Sequence, residues 1–166
     1  MSLAHRCLLL ILLLGLAGCA SGPAYKPASR GESTPAVVNY ALSLQGAPYR
    51  PGKDSPQEGF DCSGFIAHVY REYGIVLPRT VREMAYALPE VEPARRRPGD
   101  LVFFDTEGRA FNHVGLYVGE DRFIHAPSSR TGRVMVSSLA QPYWGQRFSG
   151  VRRPPVGQRP SLSSLR

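Results

Sequence analysis

The sequence predicts an α+β domain, with helices leading and a central antiparallel sheet following. Three observations carry this. The chain has 166 residues, 43% of them hydrophobic, which suits one modest domain with one core. Up to about Leu88 the apolar residues recur at helical spacing. From Leu101 onward they form short runs or alternate every second residue, as strands do. No internal repeat is visible.

The first segment is set apart. Met1 to Arg6 is short and basic, Cys7 to Leu16 is an almost pure leucine run, and small residues lead to Cys19. The run is too short to span a bilayer comfortably, so residues 1–18 read as a secretory signal. Leu16-Ala17-Gly18-Cys19 resembles the bacterial lipobox, which implies cleavage before Cys19 and its lipidation. Ordinary signal cleavage without a lipid is the alternative. Ala20 in place of aspartate points to the outer membrane by the sorting rule of enteric bacteria. Residues 19–34 have no apolar period and read as a lipidated cysteine with a flexible tether.

Residues 35–153 form the expected folded domain. Ser33 or Thr34 can cap a first helix, with Pro35 in its first turn. Ala36, Val37, Tyr40, Ala41 and Leu44 make its stripe, and Gly46 ends it. A loop rich in glycine, proline and charge runs to Gly59. A second helix follows from Asp61, as its cap, to about Tyr73, with Phe65, Ile66, Val69, Tyr70 and Tyr73 apolar. Ile75 to Pro78 is a short extended piece. Thr80 caps a third helix with Val81, Met84, Ala85 and Leu88 on one face, broken by Pro89 and Pro93. Arg95-Arg96-Arg97 reads as a solvated turn before the strand Leu101 to Phe104. Further strands are expected at Asn112 to Val118, Arg122 to Ala126, Gly132 to Ser137 and Arg147 to Arg152, with a helical turn between Leu139 and Trp144. Residues 154–166 read as a disordered tail.

The net charge of +7 comes almost wholly from arginine, since Lys26 and Lys53 are the only lysines. It fits nucleic acid, acidic lipid or an acidic polymer as surroundings, or solubility alone. Signal removal takes Cys7 with it. With Cys19 lipidated, Cys62 has no disulfide partner. Cys62 falls in the first turn after Asp61, where unpaired N–H groups and the helix dipole favour an anion. That setting is expected to lower the thiol pKa, with Gly64 leaving room beside the sulfur. A buried cysteine acting as a small hydrophobe is the plainer reading.

The hairpin between Asn112 and Ala126 favours the reactive one. With a three-residue loop, Gly119-Glu120-Asp121, Val118 pairs with Arg122, Tyr117 with Phe123 and Leu116 with Ile124. Val114, Leu116, Val118 and Ile124 then share the core face. His113 and His125 share the other, with Gly115 leaving space between them. A two-residue loop would instead be expected to put the histidines on opposite faces. A cysteine with a histidine makes a nucleophile and base, and a third polar group orients the imidazole. His113 is taken as base and His125 as orienter, though spacing does not decide between them. The Cys62 N–H and Tyr49 are candidate donors to an oxyanion. Zinc is the rival use of these side chains, but structural zinc sites bring four ligands in close pairs. Neither metal nor cofactor is expected.

These stretches are similar, in order, to motifs of the NlpC/P60 cell-wall cysteine peptidases, a papain-like fold. They are Gly46-Ala47-Pro48-Tyr49-Arg50, Gly59-Phe60-Asp61-Cys62-Ser63-Gly64-Phe65, Leu77-Pro78-Arg79-Thr80, Pro98-Gly99-Asp100-Leu101-Val102-Phe103-Phe104, His113 to Gly119, and Phe123-Ile124-His125-Ala126. The resemblance implies Cys62 as nucleophile, His113 as base and His125 as the third member. It also implies Tyr49 at the oxyanion side, with Asp61 and Ser63 lining the substrate site. The chain departs from the family where Pro51-Gly52-Lys53 replaces tryptophan and glycine, and where Val81 replaces serine. In some members those positions hold the free amino end of a stem peptide.

The expected function is thus a peptidoglycan endopeptidase cutting murein stem peptides at a D-glutamyl– or D-alanyl–diaminopimelate bond. Its expected partners are those peptides, and a membrane through the N-terminal lipid, without nucleic acid. A regulator or adaptor protein is not identifiable from the sequence. The rivals are a thiol acyltransferase or lipid amidase of related fold, and a non-catalytic murein-binding lipoprotein.

Overall fold

A computed structural model describes residues 35–155. The signal segment, Cys19 and its tether, the caps expected at Ser33 and Thr34, and the tail beyond residue 155 lie outside the described residues. Among the described residues no helix is long and apolar enough to cross a membrane.

Helix α1 (Ala36–Ser43) starts from Pro35, which sits at the cap position without a side-chain hydrogen bond. Its inward face centres on Val38 and Ala41, with Val37, Tyr40 and Leu44 partly buried beside them. The expected stripe lacked Val38 and included Ala36, which is exposed. Gly46 then turns the chain with φ +92°, a conformation open to glycine. The loop after it holds a small hairpin, β1 (Asp54–Ser55) and β2 (Gly59–Phe60).

Helix α2 (Cys62–Arg71) begins as expected. The Asp61 carboxylate caps it by accepting from the Gly64 N–H at 2.6 Å. Gly74, with φ +74°, turns the chain after it. Ile75 to Pro78 runs on without sheet pairing. Helix α3 (Val81–Ala87) opens with a capping box in which Thr80 and Glu83 satisfy each other's backbone N–H groups.

The sheet contains β3 (Glu90–Val91), β4 (Leu101–Phe104), β5 (His113–Gly119), β6 (Arg122–His125), β7 (Met135–Ser138) and β8 (Phe148–Arg152). The order is β3-β8-β4-β5-β6-β7, and every neighbouring pair is antiparallel. A short helix, α4 (Pro142–Gly145), precedes β8.

The β5–β6 hairpin keeps the expected register by a different route. Leu116 pairs with Ile124 and Tyr117 with Phe123, but Gly119, not Val118, pairs with Arg122. The turn is the two-residue Glu120-Asp121, with φ of 53° and 55°. Two left-handed residues are what a type I′ turn requires. The ladder shifts between Tyr117 and Gly119, and this irregularity absorbs the one-residue difference.

The sheet is covered on both faces. Val114, Leu116 and Ile124 join α1, α2 and α3 in the larger core. On the other side Val102, Phe104, Tyr117, Phe123 and Val151 pack with Trp144 of α4. The expectation of one core missed this second layer, which also takes in Val91 and whose members come from six separate elements.

Candidate active site

Cys62 is the first residue of α2, and His113 is the first residue of β5. The backbone N–H of Val114, one peptide unit from His113, is near enough to the Cys62 sulfur to stabilise its thiolate form. Helix and strand thus come together at their starting ends.

The two histidines are joined directly. His113 Nε2 lies 2.7 Å from His125 Nδ1, and both rings are buried. His125 Nε2 lies 2.9 Å from Ser137 Oγ on β7, also buried. Trp144 stacks on His113 at 5.4 Å between centroids, with 28° between planes, and stands edge-on to His125 at 4.8 Å. Gly115 sits between the strands as expected. A Cβ there would fall 2.5 Å from Phe123 Cδ2 and 3.3 Å from His125 Cβ.

The electrostatics differ from the expectation. Burial pushes the Cys62 thiol up to about 11, and the Asp61 charge adds to the rise. The N–H groups of Ser63, Val114 and Cys62 pull the other way, so the helix-start effect is present but outweighed by desolvation. Burial also lowers His113 to about 4. It holds His125 well below its ordinary value, with His113 as a second cause. At neutral pH the resting site therefore holds a thiol and two uncharged imidazoles.

Around the thiol, Tyr49 bridges to Phe60 and donates its N–H to Gly132 O at 2.8 Å. Burial first, then Cys62, raises its phenol pKa, so it is a donor at neutral pH. Asp61 and Ser63, expected to line the substrate site, are engaged with Arg79. Its guanidinium donates to the two Asp61 oxygens at 3.0 and 2.8 Å and to Ser63 Oγ at 2.9 Å. Gly52 N–H and Gly64 N–H take the same carboxylate, and Ser63 donates to it at 3.3 Å. Asp61 therefore pins the loop and the Leu77–Thr80 segment to the start of α2.

Gly64 serves a purpose other than room for sulfur. A Cβ on it would lie 2.2 Å from the Lys53 carbonyl, which itself accepts from Asp61 N–H at 2.9 Å. Only glycine lets the loop backbone approach that closely.

Ser137, Trp144 and Arg79 were not singled out from the sequence. Ser137 pairs with Phe123 and Met135 with His125, so alternation along β7 could have put Ser137 on the histidine face. Arg79 lay inside a quoted motif. Nothing local marked Trp144. Among the described residues no group of three His, Cys, Asp or Glu side chains could hold a metal ion.

A thiol at a helix start and a histidine pair on the adjoining strands of an antiparallel sheet fit a papain-like α+β domain. The chain belongs to the NlpC/P60 family, matched over residues 46–153. It is 42% identical over 128 residues to murein DD-endopeptidase MepH of Escherichia coli K12, covering 74% of this chain and 46% of that protein. It is 38% identical over 153 residues to the protein named "Probable endopeptidase NlpC" of the same organism, covering 89% of this chain and 97% of that one. A crystal structure of a lipoprotein-like NLP/P60 protein from Staphylococcus aureus is 33% identical, with a TM-score of 0.67, over 80% of this chain and 45% of that one. The chain thus spans under half of MepH and nearly all of NlpC.

Proposed function

We propose that this protein is a murein endopeptidase, a cysteine hydrolase acting on amide bonds of peptidoglycan stem peptides. One observation carries the reading: the thiol at the start of α2 feels the N–H of Val114, the residue next to a buried His113 that is hydrogen-bonded to His125. The name of murein DD-endopeptidase MepH supports the substrate class, and that of NlpC, a probable endopeptidase, the reaction type.

The chemistry follows from the resting state. As Cys62 Sγ attacks the scissile carbonyl, its proton passes to His113. The C–N bond breaks as the imidazolium returns that proton to the leaving amine, leaving a thioester on Cys62. Water, deprotonated by His113, then hydrolyses the thioester. His125 holds the His113 ring, and the Cys62 N–H and Tyr49 hydroxyl stabilise the oxyanion. In this reading Asp61 and Ser63 position Cys62 rather than bind substrate, because Arg79 and backbone donors occupy them.

The bond cut is a D-glutamyl– or D-alanyl–diaminopimelate linkage. Val81, and an Asp61 already paired, offer little to a free amino terminus, so crosslinked stems suit the site. Residues 1–18 act as the signal, and lipid on Cys19 anchors the enzyme to the outer membrane facing the periplasm. The tether then spans the gap to the wall, and the arginine-rich surface suits an anionic polymer.

The test is digestion of defined muropeptides by residues 20–166, read by mass spectrometry. Shorter peptides should appear and name the bond. They should be absent with Cys62→Ala at unchanged melting temperature, and cleavage by that variant would refute the mechanism.

A further inference from the structure

We propose that Ser137 is a positioning residue that supports, by accepting from His125 Nε2–H, the tautomer of His125 with which His113 keeps its Nδ1 free as base. The proposal rests on the reading of His113 as base.

The distances define a chain from His113 Nε2 to His125 Nδ1, at 2.7 Å, and from His125 Nε2 to Ser137 Oγ, at 2.9 Å. All three side chains are buried, and aromatic rings surround the histidines, so water is a poor substitute partner. A neutral imidazole has one donor and one acceptor nitrogen. Two directions are therefore open to the chain. In one, His113 Nε2–H donates to His125 Nδ1, His125 Nε2–H donates to Ser137 Oγ, and His113 Nδ1 keeps a free lone pair. In the other, Ser137 O–H donates to His125 Nε2, His125 Nδ1–H donates to His113 Nε2, and His113 Nδ1 carries the proton.

Only the first direction leaves His113 able to take the Cys62 proton. It also survives the reaction. When S–H breaks and N–H forms at His113 Nδ1, the Nε2–H already points at an acceptor, and no other proton has to move. In the second direction the charged ring would face a His125 N–H, donor against donor. Ser137 completes the working direction by accepting from His125 Nε2–H. With alanine there, that buried N–H has no acceptor and the working direction loses its support. Ser137 touches neither the thiol nor the attacked bond in this scheme, so its effect runs entirely through His125.

The experiment combines ring-nitrogen NMR with kinetics on a muropeptide. In the wild type, nitrogen-15 shifts should show His125 and His113 both protonated at Nε2. Ser137→Ala should lower kcat about tenfold with KM unchanged, the scale of one lost hydrogen bond, and should mix the His125 tautomers. Ser137→Thr, which keeps the hydroxyl on a β-branched strand residue, should restore both. Finding His125 protonated at Nδ1 in the wild type would overturn the proposal. So would full activity in Ser137→Ala, or a loss shared equally by the alanine and threonine variants and tracking their melting temperatures. His113→Ala separates the two levels. If it is inactive while Ser137→Ala is fully active, only the role of Ser137 falls. If it remains active, the base assignment falls and takes Ser137 with it.

Discussion

The resting charge of Cys62 is the most exposed consequence of the geometry. With a thiol pKa near 11, the thiolate fraction at pH 7 is about 10⁻⁴; at the ordinary value of 9.0 it would be about 10⁻². A preformed thiolate–imidazolium pair would instead make the fraction close to one, a difference of about four orders of magnitude. The thiolate absorbs in the ultraviolet where the thiol does not. A pH titration of residues 20–166, taken as the difference from Cys62→Ala so that the tyrosines cancel, reads it directly. Cys62 is the lone cysteine in that span. The difference signal should be absent at pH 7 and should grow only above pH 9. A full signal at neutral pH, vanishing on acidification together with imidazolium, would show that the charged pair exists at rest and that burial does not dominate.

Three further outcomes follow from the same packing. His113 titrates near 4 when folded and near 6.5 when unfolded, so the unfolded chain binds more protons between those values. Stability should therefore fall as pH drops from 6.5 toward 4, by about 3 kcal/mol from this ring. Urea midpoints at pH 7 and 4 check this, with His113→Asn showing a shallower loss. Gly64→Ala drives a Cβ into the Lys53 carbonyl and strains the Asp61 cap. It should destabilise by about 3 kcal/mol or more and abolish cleavage, whereas a wild-type melting curve would contradict the close approach. Gly115→Ala pushes on Phe123 and His125. An overpacking cost of about 1–3 kcal/mol should accompany a larger fall in activity, read by calorimetry and muropeptide turnover.

What could be read from the sequence was what local chemistry determines. The Asp61 cap and the start of α2 follow from a capping residue meeting an apolar helical period. The shared face of His113 and His125 follows from strand alternation, and it survived a wrong loop length because the bulge restored the register. The rest depends on residues brought from elsewhere. Arg79 reaches Asp61 across 18 positions, and Trp144 reaches His113 from the short helix α4, 31 residues further along the chain. The thiol pKa departs from the sequence expectation for the same reason. The helix-start N–H groups are visible in sequence, while the burial that outweighs them is set by tertiary packing. Ser137 shows its part only once β7 is placed beside β6.

The central claim is that one sulfur and one imidazole carry the reaction together. Its most direct test is kcat/KM on a single crosslinked muropeptide for wild type, Cys62→Ala and His113→Ala, with folding checked by circular dichroism. Each variant should lose at least about 10³-fold while keeping its fold. Wild-type turnover by a folded form of either one would contradict the account.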